Sequence, residues 1–137
     1  MKESLIVLAV VICVIVVIAV WRQIGGPAST DGGAIVSVNV PRSLSDVAER
    51  GKPLFEEACA QCHGANAGGS AEGPPLIHRI YAPNHHADLA FVLAARTGVR
   101  QHHWNFGNMQ PIAAIEESDL LKIVAYVRAL QRANGIQ

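Results

Sequence analysis

Large aromatic side chains are scarce in this sequence: three Phe, two Tyr and two Trp among 137 residues. So few rings leave a domain of this size with a thin apolar core. Surplus charge is missing too, since eleven Lys and Arg balance eleven Asp and Glu. There is no basic stripe or arginine-rich run, which excludes nucleic acid as a partner, and no acidic tail of the kind that keeps a chain unfolded. Cysteines number three, two of them close neighbours, so a disulfide framework is excluded. Methionine is scarcer still, with Met109 standing alone beside Met1.

What the sequence does have, first, is an unbroken apolar run from Leu5 to Val20, LIVLAVVICVIVVIAV, closed by Trp21. As a helix it would rise about 24 Å, and Trp21 and Ile24 extend it toward the thickness of a hydrocarbon core. A cleaved signal peptide is the alternative. No Ala-x-Ala site follows the run, and it is longer and more β-branched than an ordinary leader, so residues 1–24 are expected to be a retained transmembrane anchor. Cys13 lies behind Val11 and Ile12, too bulky for a lipoprotein cleavage site, and reads as a small apolar residue. Residues 25–42 read as a linker rich in Gly, Pro, Ser and Thr, ending in the alternating stretch Ala34 to Pro41, either a short extended segment laid on the domain or the end of a tether.

Residues 43–137 carry the helical pattern. Leu44, Val47, Leu54, Phe55 and Ala58 are spaced for a helix, with a new turn expected at Pro53. Ala65 to Ala71 and Gly73 to Leu76 read as loop. Ala87 to Thr97 reads as a helix stopped by Gly98, and Val99 to Pro111 has no period. A last amphipathic helix starts near Glu116 to Ser118 and runs to about Ala133, its stripe formed by Leu120, Ile123, Val124, Val127 and Leu130 with Tyr126 alongside. The fold class is therefore all-α.

Between the first two of these segments stands Cys59-Ala60-Gln61-Cys62-His63, followed by Gly64. Two cysteines three apart with a histidine after the second is the pattern of covalent c-type haem attachment. Each thiol adds across one vinyl group of the porphyrin, and a helical turn sets the two sulfurs at the right separation. The following imidazole then falls beneath the iron. Two other chemistries use similar residues. A redox dithiol wants a preceding strand, whereas Leu54 to Ala58 reads as helix. A zinc site would draw Cys59, Cys62 and two of the later histidines into a tetrahedron.

Taken together, Leu54-Phe55, the Cys59 to Gly64 motif, Gly73-Pro74-Pro75-Leu76, a methionine shortly before a proline and a closing amphipathic helix resemble a class I c-type cytochrome. The resemblance covers roughly Ser43 to Ala133. It implies a small cytochrome c-like haem domain, preceded here by a single N-terminal transmembrane helix. In that fold the first and last helices cross, Gly51 and Phe55 meeting Tyr126, Val127 and Leu130. It implies one covalent haem c, with Cys59 and Cys62 as thioether anchors and His63 and Met109 as the iron ligands. The Pro74 carbonyl would accept the other ring N–H of His63. A Met/His pair raises the potential, and the porphyrin would supply the apolar mass that the sequence lacks. The sequence departs from many members of the family at Gln110, which separates Met109 from Pro111.

The resemblance also implies a place and a role. Covalent haem attachment is a job of the periplasmic face in bacteria, so the haem domain is expected outside the inner membrane. There it would carry single electrons between redox partner proteins, not act as an enzyme. The alternatives are a haem subunit of a larger dehydrogenase or oxidase complex, or a gas- or metal-responsive haem protein using its histidines. Those are His78, His85, His86, His102 and His103. They are expected at the haem rim, bonded to propionates and backbone, together with Tyr81 and Trp104. Adjacent histidines on a helix point about 100° apart and seldom share an ion, although an irregular loop such as that of His102 and His103 allows it. A copper or zinc site, or bis-His ligation in place of Met109, are the other readings.

Overall fold

Ser45 opens the first helix of the haem domain by accepting the amide of Ala48 on its hydroxyl, and Asp46 and Glu49 place negative charge in the first turn. The computed structural model describes residues 11–17, 19, 34–112 and 114–137. The chain divides into two units, Met1–Thr30 and Asp31–Gln137. In the first, residues 11–17 and 19 are helical with exposed side chains. The rest of the expected anchor over 1–24 lies outside the described residues, and among the described residues no helix is long and apolar enough to cross a membrane.

The second unit is built from helices α1 (Asp46–Ala58), α2 (Ala60–His63), α3 (Asp88–Thr97) and α4 (Glu117–Ala133), with 3₁₀ turns at Ala65–Ala67 and Arg79–Tyr81. No strand occurs among the described residues. The one β-type pairing is an isolated antiparallel bridge between Val99 and Met109. α1 does not restart at Pro53, as the sequence had led us to expect, but runs through it. Proline removes one helical bond, and both Pro53 and Glu49, whose carbonyl loses that bond, lie on the exposed face, open to water.

The buried face of α1 is Ala48, Gly51 and Phe55, and it lies across α4. Gly51 sits at the point of closest approach. A methyl group built on it would stand 1.9 Å from the carbonyl oxygen of Lys122, so the backbones touch where any other residue would separate them. This contact falls on Lys122 and Ile123, one turn before the residues expected to meet Gly51. Phe55 does meet Tyr126, their ring centroids 5.6 Å apart and tilted by 56°. Tyr126, Val127 and Leu130 are fully or almost fully buried. The Tyr126 hydroxyl donates to Oδ1 of Asn66 at 3.0 Å, tying α4 to the turn just after the haem motif. Burial, with Glu56 adding to it, pushes this phenol up to about 12.

Residues 34–41 are extended and lie on the domain. The amides of Ile35 and Val36 both donate to the carbonyl of Gly68 at 3.0 Å. Asn39 and Asn134 exchange hydrogen bonds: the Asn39 amide donates to Asn134 Oδ1 and Asn134 Nδ2 donates to the Asn39 carbonyl, each at 2.9 Å. Val36 and Val38 pack on the core between these two fastenings. The last part of the segment read as linker therefore behaves as part of the domain, a third layer over the turn at Gly68 and the end of α4.

The Gly51 contact yields a test with an unusual sign. In an ordinary helix Gly→Ala gains about 1 kcal/mol. Here the added methyl meets main chain, which no rotamer change can relieve, and overpacking of this kind costs about 1–3 kcal/mol or more. Gly51→Ala is expected to lower stability by about 2 kcal/mol, read from denaturant unfolding of the haem-loaded protein.

Candidate haem site

The functional motif grows out of the end of α1. Cys59 caps that helix with its amide bonded to the Phe55 carbonyl, and its own carbonyl accepts the amides of Cys62 at 3.2 Å and His63 at 2.9 Å. One helical turn therefore carries both sulfurs and the imidazole. It ends at Gly64, where φ is +72° and a side chain would collide with the Gly69 carbonyl at 2.1 Å. The chain then doubles back: the Gly69 amide donates to the His63 carbonyl at 2.7 Å, and the Ser70 hydroxyl to the Cys62 carbonyl at 2.6 Å. These bonds satisfy the free end of the motif and bring Gly73, Pro74 and Pro75 against it.

His63 Nδ1 lies 2.8 Å from the carbonyl oxygen of Pro74. A carbonyl only accepts, so Nδ1 carries the proton and Nε2 keeps its lone pair. Burial holds the imidazole below its ordinary pKa, with the Pro74 bond pulling the other way, which leaves the ring neutral at physiological pH. Cys59 is half-buried, and burial followed by the neighbouring Cys62 pushes its thiol up to about 11. A reactive redox dithiol needs the opposite, a depressed pKa. The helix before the motif likewise excludes the strand that such a dithiol wants. The zinc tetrahedron of Cys59, Cys62 and two histidines is not assembled either. Among the described residues, the group of His, Cys, Asp or Glu close enough to hold an ion is His85, His86 and His103.

Cys59, His63 and Pro74 open onto a cleft of about 400 Å³ whose walls are mostly apolar, among them Phe55, Leu76, Phe91, Val124 and Val127. Cys62 is exposed and not within the cleft lining. Met109 lines the same cleft. It arrives on the 99–109 loop, which closes on itself through the Val99 amide to the Met109 carbonyl at 3.0 Å and the reverse bond at 2.9 Å. Beyond Gln110 the chain is held to α3, with the Ile112 amide donating to the Ala95 carbonyl at 2.7 Å. The insertion at Gln110 thus leaves Met109 on the cleft wall.

Trp104, half-buried on the same loop, has a buried indole N–H with no hydrogen-bond partner. Its ring meets His78 edge-on at 5.1 Å. Burial raises the Tyr81 phenol, opposed by the Trp104 side chain, whose N–H turns toward it without reaching hydrogen-bond geometry. An orphaned buried donor costs about 1–3 kcal/mol, and a carboxylate-bearing ring seated in the cleft would satisfy it. Apolar walls, a neutral imidazole with a free Nε2, a thioether and an unpaired indole N–H together fit a haem.

A family model described as Cytochrome c matches residues 48–131. The chain belongs to the cytochrome c family. Members of that family bind covalently attached haem c, for which Cys59 and Cys62 stand in the attachment motif, and transfer electrons with redox partner proteins. Neither the curated proteins nor the solved structures give a match to the chain.

Two residues of this cytochrome c escaped the reading of its sequence. Arg128 and Gln131 are buried on α4. Arg128 Nε donates to Asp88 Oδ1 at 2.7 Å, Nη1 to the Tyr81 carbonyl at 2.7 Å, and Nη2 to the His86 carbonyl. Nη1 also reaches Gln131 Oε1 at 2.6 Å, and Gln131 Nε2 donates to the Leu76 carbonyl at 2.9 Å. The pair clamps the irregular chain from Leu76 to Asp88, which forms one side of the cleft. A signal was available: Arg128 and Gln131 occupy stripe positions, four residues after Val124 and Val127. Removing one partner of a buried charge network costs about 3 kcal/mol or more. Arg128→Ala is therefore expected to lower stability by about 3 kcal/mol and to speed amide exchange between Leu76 and Asp88, measured by denaturant titration and hydrogen exchange.

Proposed function

We propose that the chain is a mono-haem, class I cytochrome c that passes single electrons between partner proteins and catalyses no reaction of its own. The observation that carries this reading is the convergence of His63 and Met109 on one apolar cleft, with the Nδ1 of His63 already engaged by Pro74. Cys59 and Cys62 anchor the haem, and His63 offers Nε2 to the iron from one segment. Met109 offers its thioether from the other, and Pro74 fixes the tautomer of His63. The bound haem supplies one-electron exchange. With His63 and Met109 both held as ligands, the iron would have no free position for a substrate, and the mostly apolar cleft would limit reorganisation when charge changes. The thioether raises the potential. The exposed Leu89 and Leu93 on α3, Leu93 also lining the cleft, offer partners an apolar docking surface.

The apolar run Leu5 to Val20 supports a second part of the proposal: residues 1–24 anchor the protein in a bacterial inner membrane with the haem domain on the periplasmic side. The purified protein is expected to keep haem-dependent peroxidase staining on a denaturing gel, at the mass of the full chain. A colourless band removes the covalent haem from this reading, and a band shortened by the first twenty-odd residues removes the anchor.

Met109 has its own test. The ferric protein is expected to show the weak far-red band of sulfur bonded to haem iron, and the reduced protein to resist carbon monoxide. Met109→Ala is expected to abolish the band, lower the potential and admit carbon monoxide. A wild-type protein that lacks the band and binds carbon monoxide readily would favour the gas-responsive alternative.

A further inference from the structure

His85 and His86 do not lie on a helix. They close the turn Ala82 to His86, in which both of their amides donate to the Ala82 carbonyl, at 2.9 and 2.8 Å. Free of helical geometry, the two adjacent rings stand with centroids 4.8 Å apart. A third imidazole comes from the loop that also carries Met109: His103 lies 5.5 Å from the His85 ring and 5.4 Å from that of His86. One ring nitrogen from each of the three lies within 4.8 Å of the others.

We propose that His85, His86 and His103 form a second metal site at the mouth of the haem cleft, taking one divalent late transition ion, Cu²⁺ or Zn²⁺. The donor set decides the class of ion. Three imidazole nitrogens and no carboxylate suit copper and zinc and reject the hard, oxygen-seeking magnesium and calcium. The site is also supported from behind. His86 Nδ1 donates to the Ile80 carbonyl at 2.7 Å, so its Nε2 lone pair faces outward, as in metal-bound histidines generally. The His86 carbonyl and the Tyr81 carbonyl are held by the Arg128 guanidinium, which fixes the turn that presents two of the three ligands. His102 completes the surround, its Nδ1 bonded to the Arg100 carbonyl at 2.8 Å and its ring 4.2 Å from that of His103.

A bond to the haem carboxylates is the rival use of these rings. His86 and His103 do border the cleft, but His85 does not line it, and its ring faces its two neighbours instead. The expectation from sequence was that these five histidines hold no metal needed for folding, since neighbouring histidines seldom share an ion in regular structure, although an irregular loop can bring them to one. Here the turn and a separate loop supply the ligands.

The test uses the haem-loaded full-length protein, stripped with a chelator and titrated with Cu²⁺, Zn²⁺ and, as a hard-cation control, Mg²⁺. Bound metal is counted against iron by elemental analysis. One copper or zinc per chain is expected and no magnesium, and the copper form is expected to show nitrogen couplings from imidazole in its electron paramagnetic resonance spectrum. His85→Ala and His103→Ala should each weaken binding by about 100-fold, the His85 variant with the haem absorption spectrum unchanged, and His78→Ala, outside the cluster, should leave binding as it was. Absence of stoichiometric binding, an oxygen-ligated copper spectrum, or wild-type affinity retained in both ligand variants would overturn the proposal. Should His103→Ala disturb the haem spectrum, the His85→Ala titration and the wild-type copper spectrum decide the matter, because His85 lies outside the cleft.

Discussion

The contact between Gly51 and the main chain of Lys122 sets the spacing of α1 and α4, and every functional group of the domain is referred to that spacing. α1 delivers Cys59 at its end. α4 delivers Val124 and Val127 to the cleft floor, and Tyr126 to Asn66 beside the haem motif. Were the two helices pushed apart by a single methyl group, the tyrosine, the motif turn and the cleft wall would lose register together. The thinness of the core makes this contact more important. With so few aromatic side chains, Phe55 and Tyr126 form a large part of the fixed mass beside the cleft, and they touch only because the backbones approach so closely.

Polar groups do the work that apolar packing cannot do on the opposite side. From Leu76 to Asp88 the chain makes few regular backbone bonds, and a bare stretch of this kind would leave carbonyls unsatisfied inside the protein. Arg128 and Gln131 reach out from α4 and take up the carbonyls of Leu76, Tyr81 and His86. The guanidinium also lies over the Phe91 ring at 4.8 Å. A charge that would be expensive alone is thereby spread over a carboxylate, two carbonyls, an amide and an aromatic face.

The parts of this molecule that could be read from the sequence are those where local pattern and tertiary use agree. The α4 stripe is buried residue for residue, and α3 stops at Gly98 where the glycine stands. The haem motif needs only one helical turn, and one helical turn suffices to recognise it. Pro53 misled because its cost depends on whether the freed carbonyl meets water, which the position along the chain does not tell. The histidine grouping was hidden for a different reason. It depends on where two non-periodic segments are brought together by Arg128 and by the Val99 to Met109 bridge, and neither tie has a local signature. The buried Arg128 and Gln131 were visible as polar residues on an apolar stripe, but their partners lay some forty to fifty-five positions away.

The Val99 to Met109 bridge has a consequence for how the domain comes apart. Among the described residues, two main-chain hydrogen bonds close this loop, and the remaining ties across it run through side chains of Gln101, Asn105 and Asn108. Nearly all of it is exposed or half-exposed. The loop is thus a separate cooperative unit whose opening free energy lies well below that of the α1–α4 crossing. Breaking the bridge frees Met109 while the other helices, the motif and His63 stay in place. Departure of the methionine from the cleft is therefore a sub-global opening, resisted by this small clasp and by the ring contacts of Trp104 and His103 with His78, His85 and His86.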